Sequence, residues 1–309
     1  MDVRQLKYFL RIVELKSFSE ASKHLRIAQP ALGLQVRKLE DELGVKLLDR
    51  HARGVSPTAA GLLLYEHADI ILRQVDRARS EVVDVAVEPR GKIALGLTMT
   101  VSLVLGAALV ERYHAECPNV SLRVVDGLSE LLIEWVETDR LDIAFTYNTT
   151  VGSGLVLEPL VVEDLFLVGP PKAAELAKPM VPFDFLPTVP LILPSQQHAL
   201  RTLTEEAATR SEKMLNIALE IDSVQTMKVL VERGLGYTVL PFGAVQSEVA
   251  EGRLSASRVR GPDLSRTLCV VYSRRRPSSK AFTTLHHQIR RLVSERIDDK
   301  TWSWRKVEG

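Results

Sequence analysis

The stretch from Ser19 to Pro57 constrains the fold most, because two helical patterns in it are separated by only three residues. In the first, Ala21, Ser22 and Leu25 recur at helical spacing, with Ser19 placed to cap the free amides of the opening turn. The link is Arg26-Ile27-Ala28. Pro30 then falls in the first turn of a second helix, where its missing donor costs nothing. Leu32, Val36, Leu39 and Leu43 mark one apolar face, and Gly44 suits the left-handed residue that stops a helix. Helices joined this tightly cross steeply, so the second keeps an outer face free of the core.

That outer face carries Gln29, Gly33, Leu34, Arg37 and Lys38. An exposed helix that starts with an amide and small residues and continues with cations fits the major groove of DNA. Val45–Arg50 and Gly54–Ser56 read as two short strands around His51-Ala52-Arg53. A hairpin with Arg50 and Arg53 at its tip would reach phosphates or the minor groove. The same spacing also permits a small helical bundle with a solvated charged face.

The residues SFSEASKHLRIAQPALGLQVRKLEDELGVKLLDR, followed by RGVSPTAAG, closely resemble the winged helix-turn-helix of the LysR-type transcriptional regulators, with most similarity to the branch that includes nitrogen-assimilation regulators. The resemblance implies that Gln29, Pro30 and Ala31 form the groove-facing start of the recognition helix. Gln35, Arg37 and Lys38 follow along it, Ser19 heads the preceding helix, and Arg50 and Arg53 belong to the wing. Gly33-Leu34 departs from the family pattern of Ser followed by a polar or basic residue. Glycine there costs about 1 kcal/mol relative to alanine and removes a hydroxyl for phosphate; Leu34 can still touch a thymine methyl. The partners implied are double-stranded operator DNA, a small-molecule effector, a homodimer or homotetramer, and RNA polymerase.

Formal charge is only +1 over 309 residues. Residues 1–60 hold 11 Lys/Arg against 7 Asp/Glu, or +4, which leaves 29 against 32, or −3, for the rest. Cationic character thus concentrates at the end expected to meet DNA. The charged amino-terminal stretch lacks the apolar core of a signal peptide, and no segment is apolar for long enough to span a bilayer, so a cytoplasmic protein without membrane contact is expected. The two cysteines, Cys117 and Cys269, are far apart and read as reduced thiols, with a disulfide as the alternative. His286-His287 is the sole histidine pair, and neighbours on a helix point apart, so no metal site and no cofactor is expected.

Residues 2–16 read as a helix that packs Leu6, Phe9, Leu10 and Val13 behind the recognition helix, with Phe18 closing that small core. From Thr58 a long helix is expected to about Val87, capped by Ser56 or Thr58. Leu64, Ala68, Ile71, Val75, Ala78, Val82 and Val85 form a heptad stripe. The stripe can pack on the chain's own larger domain; the narrow seam between charged residues favours pairing of two copies, which matches the dimerising linker helix of the family. Two recognition helices would then meet two half-sites at a fixed separation.

Glu88-Pro89-Arg90-Gly91 is the hinge candidate, giving domains of 1–57, 58–90 and 91–309. Beyond it, apolar strands at Lys92–Leu97, Val120–Val125, Asp142–Tyr147, Pro190–Leu193, Ile217–Ile221, Tyr237–Leu240 and Leu268–Tyr272 alternate with helical stretches, an α/β pattern that predicts parallel sheets covered by helices. The resemblance implies the two-lobed fold shared with periplasmic solute-binding proteins, with lobe one at about 91–161 and 267–300 and lobe two at 162–266.

Ligands in such folds collect at the carboxyl ends of strands. The first strand ends in Thr98-Met99-Thr100-Val101-Ser102 and enters a helix, whose free amides and hydroxyls suit an anion; plain capping by Thr100 or Ser102 is the alternative. Ser129, Thr146, Ser195 and Gln196 end other strands or begin other helices expected at the same cleft. With no evident cation clamp, a small polar or mildly anionic effector is expected. Asp222-Ser223 reads as a cap and Gly234-Leu235-Gly236 as a helix stop, since it lacks a third glycine and precedes a strand. Arg274-Arg275-Arg276 reads as a solvated loop end, and the tail from Asp298 has no clear assignment, its Trp302 and Trp304 being able to dock on the body or on a neighbouring subunit. No nucleophile elbow, Walker loop, HExxH or paired-carboxylate motif is present, so the expectation is binding without catalysis. A solute-binding sensor whose amino-terminal module mediates protein contacts is the alternative function.

Overall fold

The computed structural model describes residues 1–51, 54–84, 89–262, 264–274, 279–298 and 303–307, without the side chains of 76, 77 and 79–84. The chain divides into two compact units, Met1–Lys92 and Ile93–Gly309.

The first unit begins with α1 (Val3–Leu15), where Asp2 and Gln5 each bond the other's backbone amide in a capping box. Next come α2 (Phe18–Leu25) and α3 (Gln29–Leu43), separated by the expected three residues with Arg26 in the left-handed region at φ 56. Ser17, and not Ser19, caps α2 by accepting from the Glu20 amide; Ser19 lies one residue inside the helix, and its carbonyl serves the Ser22 hydroxyl. Phe9, Ile12, Leu32, Val36 and Leu39 pack into one core with Leu47 and Val55 of the wing. Leu43 departs from the expected face and is 40% exposed. The inward place at the end of α3 goes to Glu40, which accepts from the backbone amides of Leu47 and Leu48 at 2.9 and 3.3 Å. Strands β1 (Leu48–His51) and β2 (Gly54–Pro57) form the antiparallel wing.

Helix α4 (Ala59–Asp84) is capped by Thr58, whose hydroxyl accepts from the Gly61 amide at 3.0 Å. Its first turns do not form a free seam. Ala68 is fully buried with Leu6 and Leu10 of α1, and Leu64, Tyr65 and Leu72 pack against the same residues. Ala68 thus belongs to the unit's own core, with Leu64 half-buried beside it. Ile71 and Ala78 are exposed and Val75 half-buried; the Val82 side chain and Val85 lie outside the described residues.

The second unit is a mixed α/β fold. In lobe one, β3 (Gly91–Leu97) leads into one continuous helical run: α5 (Met99–Val101), a π-helical segment (Ser102–Gly106) and α6 (Ala107–Glu116). Then follow β4 (Val120–Asp126), α7 (Ser129–Glu137), β5 (Ile143–Tyr147) and the fifteen-residue β6 (Leu155–Gly169). Lobe two holds β7 (Met180–Pro182), β8 (Leu191–Leu193), α8 (Ala199–Arg210), β9 (Ile217–Glu220), α9 (Val224–Glu232), β10 (Thr238–Pro241), α10 (Gln246–Ala250) and β11 (Ser255–Arg260). The chain returns through β12 (Ser265–Ser273), α11 (Lys280–Asp298) and β13 (Trp304–Arg305).

The sheets are mixed where parallel ones were expected. β3 and β5 are parallel, as are β8 and β9, but β6 is antiparallel to β10, β11, β12 and β13. One strand serves both lobes: Leu155–Asp164 pairs with β12, and Leu165–Gly169 pairs with β10 and β11. The change of partner at Asp164–Leu165 lies a few residues beyond the expected 161/162 edge. Alternation along β3 sends Ile93, Leu95 and Leu97 into one core and Ala94 into another, so helices cover both faces of lobe one. Lobe two has its own core, built around Leu165, Leu167, Ile192, Met227 and Leu240.

Candidate DNA-reading surface and effector cleft

On the first unit, Gln29, Pro30, Ala31, Leu34, Arg37 and Lys38 are exposed along α3, with Gly33 and Gln35 half-buried. A groove is lined by Phe18, Gln29, Pro30, Gly33, Leu34, Arg37 and Arg50. The structure thus brings the recognition-helix residues and a wing arginine to one surface. The guanidinium of Arg50 lies 4.2 Å from the centre of the Phe18 ring, which gives Phe18 a second role beside closing the core. Among the described residues, Arg37, Lys38 and Arg50 have no carboxylate partner. Arg53 lies outside the described residues.

Glu40 fixes the wing to α3. Burial would raise its pKa, but the Lys46 ammonium and the Leu47 and Leu48 amides outweigh burial and hold the carboxyl below its ordinary range. The wing is therefore set by a charge-assisted link from the recognition helix itself. Sequence periodicity marked position 40 only as one more charge on a helix.

In the second unit a cleft opens between the lobes. Lobe one contributes Thr98, Met99 and Thr100 at the end of β3, Leu128–Glu130 at the head of α7, and Tyr147 at the end of β5; lobe two contributes Gln197, His198 and Asp222. Neither helix start is closed by a side-chain cap, so the first-turn amides of α5 and α7 lack intrahelical partners. The Gly127 amide donates to the Leu97 carbonyl at 3.0 Å and holds these two helix heads side by side. Thr98 is buried and its hydroxyl has no hydrogen-bond partner. Ser129 is buried and accepts from the Tyr147 amide at 3.2 Å.

Five expected effector residues fall elsewhere. Val101 points into the lobe-one core beside Leu105 and Leu109, because one residue past Thr100 turns to the inner face of the helix. Ser102, whose amide donates to the Thr98 carbonyl one turn back, is not among the residues that line the cleft. Thr146 is fully buried beneath it, since neighbours on β5 alternate and Tyr147 takes the open side. Ser195 donates its amide to Asp222 at 2.8 Å, and Gln196 is exposed with its carbonyl accepting from Thr202; the next two residues line the cleft instead. The Ser195 amide, then its hydroxyl, hold Asp222 below the ordinary carboxylate range, and His198 adds to this from 3.4 Å.

The cleft also holds the cation that the sequence had not revealed. Arg266 is 4% exposed; its Nη2 donates to Thr100 at 2.9 Å, its Nε to Glu163 at 2.7 Å, and its guanidinium lies 3.5 Å from the Tyr147 ring centre. Burial pushes the Tyr147 phenol far above its ordinary range, so it stays a neutral hydrogen-bonding group. No local signal marks Arg266: it opens an apolar strand and reaches the cleft only through long-range pairing with β6.

A helix-turn-helix with a wing, on a chain that also carries a two-lobed cleft, defines a ligand-responsive DNA-binding regulator. The chain belongs to the LysR family of transcriptional regulators: residues 3–62 match the model for the bacterial regulatory helix-turn-helix protein, lysR family, and residues 86–294 match the LysR substrate binding domain. The nitrogen assimilation regulatory protein of Klebsiella aerogenes is 34% identical over 95% of this chain and 96% of its own length. Its Escherichia coli counterpart is 32% identical over 99% and 100%. Both bear out the resemblance to that branch. A full-length OxyR variant from Pseudomonas aeruginosa superposes with a TM-score of 0.72 at 25% identity, covering 94% of this chain and 95% of that one. Full-length CbnR, solved with its target DNA, shares the fold with a TM-score of 0.71 at 20% identity, covering 94% and 99%. No helix among the described residues is long and apolar enough to cross a membrane.

Proposed function

We propose that this regulator reads a specific operator through Gln29, Ala31, Leu34, Arg37 and Lys38, with Ser19, Pro30, Gly33, Gln35, Arg50 and the wing tip at Arg53 positioning it on the duplex, and that a small molecule held between the lobes alters this binding. The carrying observation is the cationic surface of α3 and β1, where Arg50 stacks on Phe18 and none of Arg37, Lys38 and Arg50 is held in a salt bridge among the described residues. The remaining exposed face of α4, at Ile71 and Ala78, supplies contact with a second copy, and pairs of dimers give the homotetramer. Contact with RNA polymerase and a cytoplasmic location accord with such a regulator.

The effector is a small polar or weakly anionic compound. Two open helix heads and the Thr98 hydroxyl favour an anionic group, while Glu163 already balances the charge of Arg266. Thiol sensing is disfavoured: Cys117 and Cys269 are buried, and burial pushes the Cys269 thiol up to about 11, whereas reactive cysteines need accessible, low-pKa thiolates.

Binding to an operator fragment should weaken steeply as salt rises, because each phosphate neutralised contributes a slope of about −0.9 to log K against log salt. Titrations by fluorescence anisotropy between low and physiological salt test this. Flat affinity would favour the alternative in which the amino-terminal module mediates protein contacts.

A further inference from the structure

Residues 303–307, which no sequence pattern explained, lie at the lobe crossover. β13 pairs with β6 in the register Trp304 opposite Glu163 and Arg305 opposite Val162. Trp304 is 7% exposed, and its indole Nε1 donates to Glu163 Oε1 at 2.9 Å. The other oxygen, Oε2, accepts from Arg266 Nε at 2.7 Å. Arg266 in turn bonds Thr100 and lies over Tyr147, both on the cleft wall. A carboxylate this deeply buried is costly unless both oxygens are bonded, and here the tail supplies a donor to Oε1. Next along β6, Asp164 bonds Arg305 of the tail and Arg258 of lobe two, each at 2.9 Å. The segment thus grips β6 at the two residues where the strand passes from one lobe to the other.

We propose that the carboxy-terminal segment belongs to the ligand-sensing machinery: Trp304 holds Glu163, and Glu163 both positions Arg266 at the cleft and neutralises its charge. Trp304 and Glu163 are positioning residues that touch no ligand. Glu163 thereby sets the charge the cleft accepts, since a compensated Arg266 offers hydrogen bonds without a net positive field. The inference rests on the cleft being the effector site, but its test needs no effector.

In the full chain, the Trp304 indole N–H and the Arg266 Nε–H, followed by NMR and assigned by their loss in Trp304→Phe and Arg266→Lys, should show equal protection against exchange with water, because one opening event frees both. An indole proton protected about tenfold less overturns the link, whatever the variants do. In Trp304→Phe, which keeps a six-membered aromatic ring and drops the donor, protection of Arg266 Nε–H should fall by at least about tenfold, the loss expected for one charge-assisted hydrogen bond. Arg305→Ala, which acts on Asp164, should leave it unchanged. An unchanged Arg266 signal in a folded Trp304→Phe chain means the indole only fills space and overturns the proposal. Inorganic sulfate, the probe for uncompensated charge, should raise the Tm of Glu163→Gln more than that of the parent chain at equal ionic strength. Equal shifts overturn the neutralising role. None of these failures touches the assignment of the cleft itself.

Discussion

Gly33 sits inside α3 without a steric reason to be glycine: an added Cβ would meet Arg50 Nη2 at 3.8 Å, an ordinary contact. Gly33→Ala should therefore stabilise the DNA-binding unit by about 0.5–1 kcal/mol, the helix-propensity difference, measured as a higher urea midpoint. Gly61 is the opposite case, since a Cβ there would lie 2.0 Å from the Leu47 carbonyl oxygen, where α4 leaves the wing. Gly61→Ala should cost about 1–3 kcal/mol through forced backbone movement. Glu40 carries a pH signature. Its folded pKa is depressed, so its stabilisation is present above the unfolded carboxylate pKa and is lost as pH falls through the folded value. Glu40→Gln should cost about 1–3 kcal/mol at neutral pH, and its urea midpoint should converge on that of the parent as the solution is acidified.

At the scale of elements, α4 divides its apolar residues between two tasks. Ala68 is fully buried against α1, so Ala68→Glu places an unpaired charge in the core and should unfold the amino-terminal unit. Ile71 is 36% exposed one turn on. Ile71→Glu should leave the fold intact and weaken self-association by at least about tenfold, as expected when the burial of one aliphatic side chain is lost; sedimentation equilibrium reads the difference. Heptad spacing could not separate these residues, because a period shows which face is apolar and not which neighbour covers it. Helices α1, α2, α3 and α4 were legible from periodicity, the three-residue turn and Gly44, and the seven apolar strands from composition. β6 was not. Glu158, Pro159, Glu163 and Asp164 break its alternation, and Pro159 falls where the register with β12 slips, a place at which a strand tolerates proline. The part of the cleft that β6 positions, Arg266 with Glu163, was hidden for the same reason, whereas Thr98, Thr100 and Ser129 were legible as residues at strand and helix ends.

For the whole molecule, the separate cores of the two units make reading and sensing separable by mutation. Gln29 is exposed at the head of α3, remote in sequence from every cleft residue, and its amide can pair with one base edge. Gln29→Ala should thus lower discrimination at a single operator position by about 1–3 kcal/mol while the cleft unit keeps its melting behaviour. Thr100→Val is the reciprocal change. It preserves shape but removes the acceptor for Arg266 Nη2 and the 3.4 Å contact with the Tyr147 hydroxyl, leaving a buried donor unmade. The cost, about 1.5–3 kcal/mol for a bond to a charged group, falls on the effector unit, so its unfolding midpoint should drop and the response of operator binding to ligand should be lost. Operator affinity of the ligand-free chain should stay at the parent value. If Thr100→Val instead weakens ligand-free operator binding as much as Gln29→Ala does, the cleft is already coupled to the DNA-reading surface without ligand. Regulation would then act by releasing that coupling and not by creating it, since a ligand can shift the regulator only through its different affinities for the two states.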